Sequence, residues 1–199
     1  MKKLIYALVN IPVSILTQQF PEAPMCFYML KNAISSWLAT AGYKTLLAMD
    51  LKTHACEFRT KQPIVVTKVG YRAWRAGIVY SISFWEPNCE FSLSTCIVEP
   101  KDIKNIQFFS LQEPICLSPE KTYYISRTYL SGGPNDDITD YVGWLSNNVG
   151  SAICPFIEGV IQLSRGFFSD DINPFNSECT ANISTSSLLP LLDFEYRLL

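Results

Sequence analysis

CEFRTKQPIVVTKVGYRAWRAGIVYSISFWEPN, residues 56–88, opens the stretch that decides the fold, which continues to Tyr129. It consists of short runs rich in β-branched and aromatic residues, separated by Pro, Asn and Gly. Residues of the first kind suit a pleated sheet, and the separators form turns. No helical period lies between the runs, which disfavours parallel βαβ units. The stretch therefore predicts a succession of antiparallel strands.

The same pattern extends to the end of the chain. Its last run is the clearest, because Leu192, Phe194 and Tyr196 alternate with charged residues. Short strands with regularly spaced turns are typical of sandwiches and barrels. The predicted fold class is all-β, an antiparallel β-sandwich of jelly-roll-like form with a short N-terminal helical extension. The predicted strands are Cys56–Thr60, Ile64–Arg72, Ile78–Glu86, Leu93–Val98, Ile106–Leu111, Thr122–Tyr129, Gly159–Ser164 and Leu191–Arg197.

Length and composition bound the class of protein. A chain of 199 residues can bury a substantial core as one domain. Hydrophobic residues make up 48% and charged residues 17%, which excludes the composition of a disordered chain. The net charge of −2 lacks the basic excess of a nucleic-acid binder, so no nucleic-acid partner is predicted.

The N-terminus has the features of an export signal. Lys2 and Lys3 precede the apolar run Leu4–Leu16, which is too short to span a bilayer. We therefore expect residues 1–19 to be a signal or anchor segment, and the protein to be exported or in a bacterial-type cell envelope, with no further transmembrane span. The alternative is a buried first element of a cytosolic domain.

Residues 20–55 are predicted to be an N-terminal extension, and residues 56–199 the β-sandwich domain. Within the extension, apolar residues over 27–41 recur at helical spacing and Gly42 follows. This spacing predicts a short amphipathic helix, and a strand is the alternative.

Six segments together carry a family resemblance: Cys56–Phe58, Pro63–Tyr71, Ser81–Asn88, Gln107–Leu111, Pro114–Ser126 and Asp193–Tyr196. In this order they resemble a β-sandwich domain family of unknown function found in bacterial secreted and surface proteins. The resemblance implies a jelly-roll-like sandwich similar to carbohydrate-binding modules, a surface location and no known catalytic residues. The family pattern usually has Gly, which accepts positive φ, where Cys89 and Glu120 stand.

Two aromatic loops provide the predicted ligand-binding residues. Arg72, Trp74 and Arg75 belong to the segment 72–77, which joins two predicted strands, and Asp140 and Trp144 follow a Gly-rich loop. A flat indole can stack on the apolar face of a sugar ring, while Arg and Asp hydrogen-bond its hydroxyl groups. The alternative is that both Trp side chains pack on the core.

Two acidic loops offer oxygen ligands of the kind that calcium prefers. Neither has EF-hand spacing, and Asp residues also cap turns. Calcium is therefore a weak prediction, and no other cofactor is expected. The candidate ligands are Asp136, Asp137, Asp170 and Asp171.

Catalytic chemistry is poorly represented in the sequence. It contains a single His, His54, and no G-x-S-x-G nucleophile motif. Glycoside hydrolysis needs two acids that face each other across a cleft. Nothing selects a pair from Glu57, Glu86 and Glu158, and we expect the protein not to be an enzyme.

Seven Cys leave at least one thiol without an intrachain disulfide partner. Cys89 and Cys96 have a spacing that a hairpin could bring together as a disulfide. Trp85, in a strongly predicted strand, is expected in the core.

The leading functional hypothesis is a non-catalytic, exported or surface binding module that recognises a glycan or another cell-surface component through its end loops. One alternative is a structural or adhesive envelope domain without a small ligand. The other is a hydrolase with an unrecognised acid pair.

Overall fold

The computed structural model describes residues 31–32, 45–49, 51–73, 75–131, 140–144, 155–173, 175, 182–185 and 188–199. Every regular element in these residues is a β-strand. The strands are β1 (Lys31–Asn32), β2 (Thr45–Met49), β3 (Thr53–Thr60), β4 (Ile64–Tyr71), β5 (Val79–Trp85), β6 (Ser94–Val98), β7 (Gln107–Leu117), β8 (Thr122–Ser131), β9 (Asp140–Trp144), β10 (Phe156–Glu158), β11 (Ile161–Ser169), β12 (Asn182–Thr185), β13 (Leu188–Pro190) and β14 (Leu192–Leu198).

The strands form two layers of antiparallel sheet. One layer is a seven-stranded sheet in the order β10-β11-β3-β8-β5-β6, in which β12 also pairs with β11. The other contains a four-stranded sheet, β1-β14-β4-β7, and a three-stranded sheet, β13-β9-β2. Only Leu191 separates β13 from β14, so the chain passes directly from the three-stranded to the four-stranded sheet. This arrangement confirms the predicted all-β sandwich class.

Gly166 explains how the three-stranded sheet approaches the large one. In β11, Gly166 pairs with Cys56 of β3 and lies against the backbone carbonyl of Leu188 in β13. A Cβ atom at this position would overlap with that carbonyl oxygen. The absence of a side chain therefore permits close contact between the layers.

Alternating side chains of the two layers form the core. Tyr80, Ile82 and Phe84 of β5 face Phe194 and its neighbours across the sandwich, and all of them are buried. The centroid of the Phe194 ring lies 5.6 Å from that of Phe84. Successive side chains of a strand point to opposite faces, so the predicted alternation leads directly to this core.

All eight strands predicted from the sequence are present, although their ends differ. Six further strands, β1, β2, β9, β10, β12 and β13, were not predicted. Of the helix predicted over 27–41, the described residues include only 31–32, which pair with β14; the rest lies outside the described residues. The signal or anchor segment predicted over 1–19 also lies outside them.

Cys89 and Cys96, whose spacing a hairpin could bring together as a disulfide, are both free thiols. Cys96 lies in β6 opposite Ile82 of β5, where it packs against the core. Cys89 belongs to the connection between these strands. Cys116 is also a free thiol, and Cys26, Cys154 and Cys179 lie outside the described residues.

Candidate functional site

Arg72 ties together three segments at one end of the sandwich. Its backbone N–H donates to the carbonyl of Leu191, at the junction of β13 and β14, at 3.2 Å. Its side-chain Nε donates to the carbonyl of Ile103, in the loop between β6 and β7, also at 3.2 Å. The turn between β4 and β5, in which Arg72 lies, is thereby held to two other connections.

The turn between β4 and β5 has a fixed base and an exposed tip. Ala73 and Ile78 are buried in the core, whereas Arg75, Ala76 and Gly77 are exposed. Gly77 has a φ of 84°, which side-chain-bearing residues rarely adopt. The two buried positions anchor the turn, and Arg75 extends into solvent.

The loop between β6 and β7 is ordered by its own polar side chains. Asp102 Oδ1 accepts hydrogen bonds from the backbone N–H groups of Lys104 at 2.8 Å and Asn105 at 3.2 Å. Its Oδ2 accepts one from the Asn105 side-chain amide at 2.9 Å. The hydrogen bond from the Asn105 side chain, and then the two from the backbone N–H groups, hold the pKa of Asp102 below its usual value. The loop therefore keeps a defined shape while it exposes Lys101 and Lys104.

We call Arg72, Arg75, Lys101 and Lys104 the basic end. The two loops lie side by side because Tyr71, the last residue of β4, pairs with Gln107, the first residue of β7. The sequence did not reveal Lys101 and Lys104 as part of a site, because they follow Arg75 by more than twenty residues. Only the antiparallel pairing of β4 and β7 places them together.

Of the other predicted ligand-binding residues, the structure describes the backbone of Asp140 and Trp144 but not Trp74. Val142 of β9 pairs with Pro190, the residue before Leu191, so the backbone of β9 near Asp140 is close to Arg72. Trp144 pairs with Leu188 at the other end of β13. Trp74 lies outside the described residues. The structure thus brings Arg72, Arg75 and the start of β9 to one end, and Trp144 lies a strand length away.

The calcium candidates Asp170 and Asp171 are exposed and follow β11 directly. The backbone N–H of Asp171 donates to Ser169 Oγ at 3.0 Å, and its carbonyl accepts from Thr53 Oγ1 at 2.6 Å. Among the described residues, no group of three or more His, Cys, Asp or Glu has a metal-binding arrangement. Asp136 and Asp137 lie outside the described residues.

A polar cluster crosses the outer face of the large sheet. Arg165 and Tyr124 pair with Glu57 from opposite sides, on β11 and β8. Glu57 Oε2 accepts from Arg165 Nε at 2.9 Å and Nη2 at 2.8 Å, and from the Tyr124 hydroxyl at 3.2 Å. The bond to Glu57 raises the pKa of Arg165. Burial, and then the negative charge of Glu57, raise the pKa of Tyr124.

Two acids nominated for catalysis have cationic partners. Glu57 is paired with Arg165, and Glu86 Oε1 lies 3.3 Å from Lys121 Nζ. For Glu158, the structure gives the backbone position in β10. The geometry around Glu57 is that of a charge-assisted cross-strand contact, which stabilises the alignment of β3 with β11.

Aromatic rings cover the same outer face. The ring of Phe175 stacks on Tyr124 with centroids 4.2 Å apart, and it also contacts Phe167 and Trp85 at 5.6 Å each. The expectation that Trp85 lies in the core is wrong, because Phe84 takes the inward position and Trp85 faces outward. Its indole Nε1 donates to Ser126 Oγ at 2.9 Å.

Inside the sandwich, Arg127 is fully buried. It donates to the Tyr71 hydroxyl and the Lys52 carbonyl, both at 2.9 Å, and to His54 Nδ1 at 2.8 Å. Its guanidinium carbon lies 4.2 Å from the centroid of the Tyr129 ring. Burial, and then the charge of Arg127, hold the pKa of His54 well below 6.5. This enclosed cluster joins side chains of β3, β4 and β8, and its role is therefore structural.

A groove of about 290 Å³ lies between β6 and β7, the last strands of their sheets in the described part of the chain. Cys96 Sγ lies 3.7 Å from the carbonyl oxygen of Ser110 across this side of the sandwich. The groove is lined by Leu93, Ser94, Thr95, Gln112, Glu113, Pro114 and Ile115.

Comparisons with protein-family models and with curated proteins found no match for the chain. The resemblance to the secreted bacterial sandwich family stays a prediction. Over the described ranges, no helix has the length and apolar character needed to cross a bilayer.

Proposed function

We propose that the protein is a non-catalytic binding module that recognises a glycan with acidic groups at the basic end. The observation that carries the proposal is the hydrogen bond from Arg72 Nε to the Ile103 carbonyl, which holds the exposed Arg75 turn against the Lys101–Lys104 loop. Loops on a rigid sheet are the usual position of binding residues.

The charges at this end favour carboxylate or sulfate groups on the ligand. Arg75, Lys101 and Lys104 are exposed on a chain whose net charge is −2. Arg forms paired hydrogen bonds with planar anions, and Lys provides a point charge. The aromatic partner in this proposal is Trp74, which precedes Arg75 in the sequence and would stack on a sugar ring.

The test is a glycan array with neutral and acidic glycans, probed with wild type and with the Arg75→Ala, Lys104→Ala and Trp74→Ala variants. We expect wild type to bind acidic glycans, and each variant to bind several-fold more weakly. Lys61→Ala is the matched control, because Lys61 is exposed in the turn at the opposite end. An array without binding, or binding that all three variants retain, would contradict the proposal.

A second candidate function is a structural or adhesive module without a small ligand. The observation that favours it is the uncharged apolar run 91–98, whose side chains Phe91, Leu93 and Ile97 are exposed. Such a surface suits contact with protein better than contact with a sugar. This candidate predicts a blank glycan array together with self-association or binding to another protein.

A further inference from the structure

The two strands that border the groove differ in how their free edges are protected. In β7, Leu111–Pro114 bulge out opposite the single residue Thr67, because Ser110 pairs with Lys68 and Ile115 with Val66. A bulge, a Pro and the exposed Glu113 are all devices that prevent another strand from pairing with an edge. The edge of β7 is thus closed to further pairing.

The edge of β6 has none of these devices. From Phe91 to Val98 the sequence FSLSTCIV contains no charged residue and no Pro. In the described part of the chain β6 pairs only with β5, so its other side presents backbone hydrogen-bonding groups. Phe91 is 77% exposed, Leu93 43% and Ile97 59%. An apolar, uncharged edge of this kind is a template for strand addition.

We infer that this edge pairs with the β6 edge of a second copy of the chain, so that two seven-stranded sheets join into one. In an antiparallel pairing about a two-fold axis, a residue that precedes the axis lies opposite the residue that follows the axis by the same number of positions in the other copy. Any charge near the axis would face a like charge, and the run 91–98 has none. The edge is therefore electrostatically compatible with itself.

The core restricts the register of this pairing, and the exposed apolar side chains select among the registers that remain. Both cores must lie on the same face of the joined sheet, so inward residues such as Cys96 and Val98 must oppose inward residues. A pairing centred on Thr95 meets this condition. It sets Leu93 opposite Ile97 of the second copy, and Thr95 opposite Thr95. The exposed apolar side chains thereby cover one another, which stabilises an antiparallel pair.

The contact is short, because β6 has five residues. We therefore expect a dimer whose population rises with protein concentration rather than an obligate one. The inference concerns a different surface from the basic end and does not depend on glycan binding.

The test is sedimentation velocity of the full chain over a hundred-fold concentration range, with reductant present to keep the thiols reduced. We expect wild type to approach twice the monomer mass, and Ile97→Lys to stay monomeric. Ile172→Lys, at a position 63% exposed after β11, is the matched control and should behave as wild type. A wild type that is monomeric throughout, or an Ile97→Lys variant that dimerises equally, would overturn the inference.

A cross-link tests the register independently of the Lys variant. Thr95→Cys sets two new thiols opposite each other, within reach of a disulfide. With copper phenanthroline as oxidant we expect a Thr95→Cys dimer on non-reducing gels, well above the level formed by wild type or Ile172→Cys. Equal cross-linking in all three proteins would contradict the register centred on Thr95.

Discussion

Arg127 shows how the interior of this sandwich accommodates a permanent charge. A buried cation is tolerated when its donors are used and its charge lies near polarisable groups. Tyr71, His54 and the Lys52 carbonyl accept its hydrogen bonds, and the Tyr129 ring lies beneath it. Because Arg127 always donates, His54 Nδ1 must be unprotonated, which requires the neutral imidazole.

This arrangement predicts that stability falls in mild acid. The unfolded chain takes up a proton on His54 below about pH 6.5, whereas the folded chain does not, because its His54 pKa is lowered. The contribution is complete above pH 6.5 and is lost as pH falls toward the folded pKa, by at most about 1.4 kcal/mol per pH unit. Urea unfolding at pH 7.5, 6.5 and 5.5 measures this slope.

The single His makes the control simple. His54→Gln keeps an acceptor for Arg127 and removes the titration. Its free energy of unfolding should be nearly constant over the same pH interval. An unchanged slope in His54→Gln would assign the pH dependence to other groups.

Glu120 is a second residue whose backbone determines the outcome of a substitution. Its φ is 61°, in the left-handed region, and Asn88 beside Cys89 has a φ of 59°. The positive φ gives the Glu120 turn the conformation for which Gly is suited, whereas at the other turn the positive φ falls on Asn88 and not on Cys89.

Glu120→Gly is therefore expected to stabilise the fold by about 0.5–1 kcal/mol, because it removes the strain of a left-handed non-Gly residue. Thermal and urea unfolding measure the change. Ser118→Gly in the same turn is the control, and should lower stability because its φ is not positive. A Glu120→Gly variant less stable than wild type would show that the turn does not hold this strain.

At the scale of elements, the outer face of the large sheet is stabilised by a segment that comes after β11. Phe175 is 5% exposed and packs on Tyr124, Phe167 and Trp85. Its carbonyl accepts from the Asn88 N–H at 3.0 Å. The segment therefore links the end of β11 to the turn after β5, across β3 and β8.

Phe175→Ala should destabilise the protein by about 3 kcal/mol, since it removes a buried ring from an aromatic cluster. Denaturant unfolding gives the free-energy difference. Ile172→Ala, at a position that is 63% exposed, is the control and should change stability by no more than about 0.5 kcal/mol. Similar effects from both variants would mean that the Phe175 contacts add little.

At the scale of the whole molecule, pairing between distant segments builds both proposed surfaces. The basic end depends on the pairing of β4 with β7 and on the bond from Arg72 to Leu191. The exposed edge of β6 exists because β6 and β7 are the last strands of two different sheets in the described part of the chain. A sandwich leaves such edges wherever a sheet ends, and of these two the edge of β7 has a bulge, a Pro and an exposed Glu, whereas the run 91–98 has neither a charge nor a Pro.

The sequence by itself determined the eight strands whose alternation or apolar run is long, such as Leu192–Leu198, because burial of one face imposes a period of two. It also located the turns, since Pro and Asn restrict the backbone locally. It missed β1, β10, β12 and β13, which have two to four residues and carry little periodicity, and also β2 and β9, which form only against a partner.

The tertiary structure alone decided which side chains meet. The sequence predicted Trp85 in the core, and strand parity places it on the outer face instead. The sequence left the disulfide connectivity open, and in the structure Cys89 and Cys96 are free thiols. It selected Arg72 and Arg75 but could not join them to Lys101 and Lys104. Composition and local pattern decide whether a segment is a strand, whereas contacts between strands depend on register over the whole chain. The stretch 56–129 therefore determined the sandwich, and the pairing of its strands placed the basic end and the β6 edge, which has no second partner among the described residues.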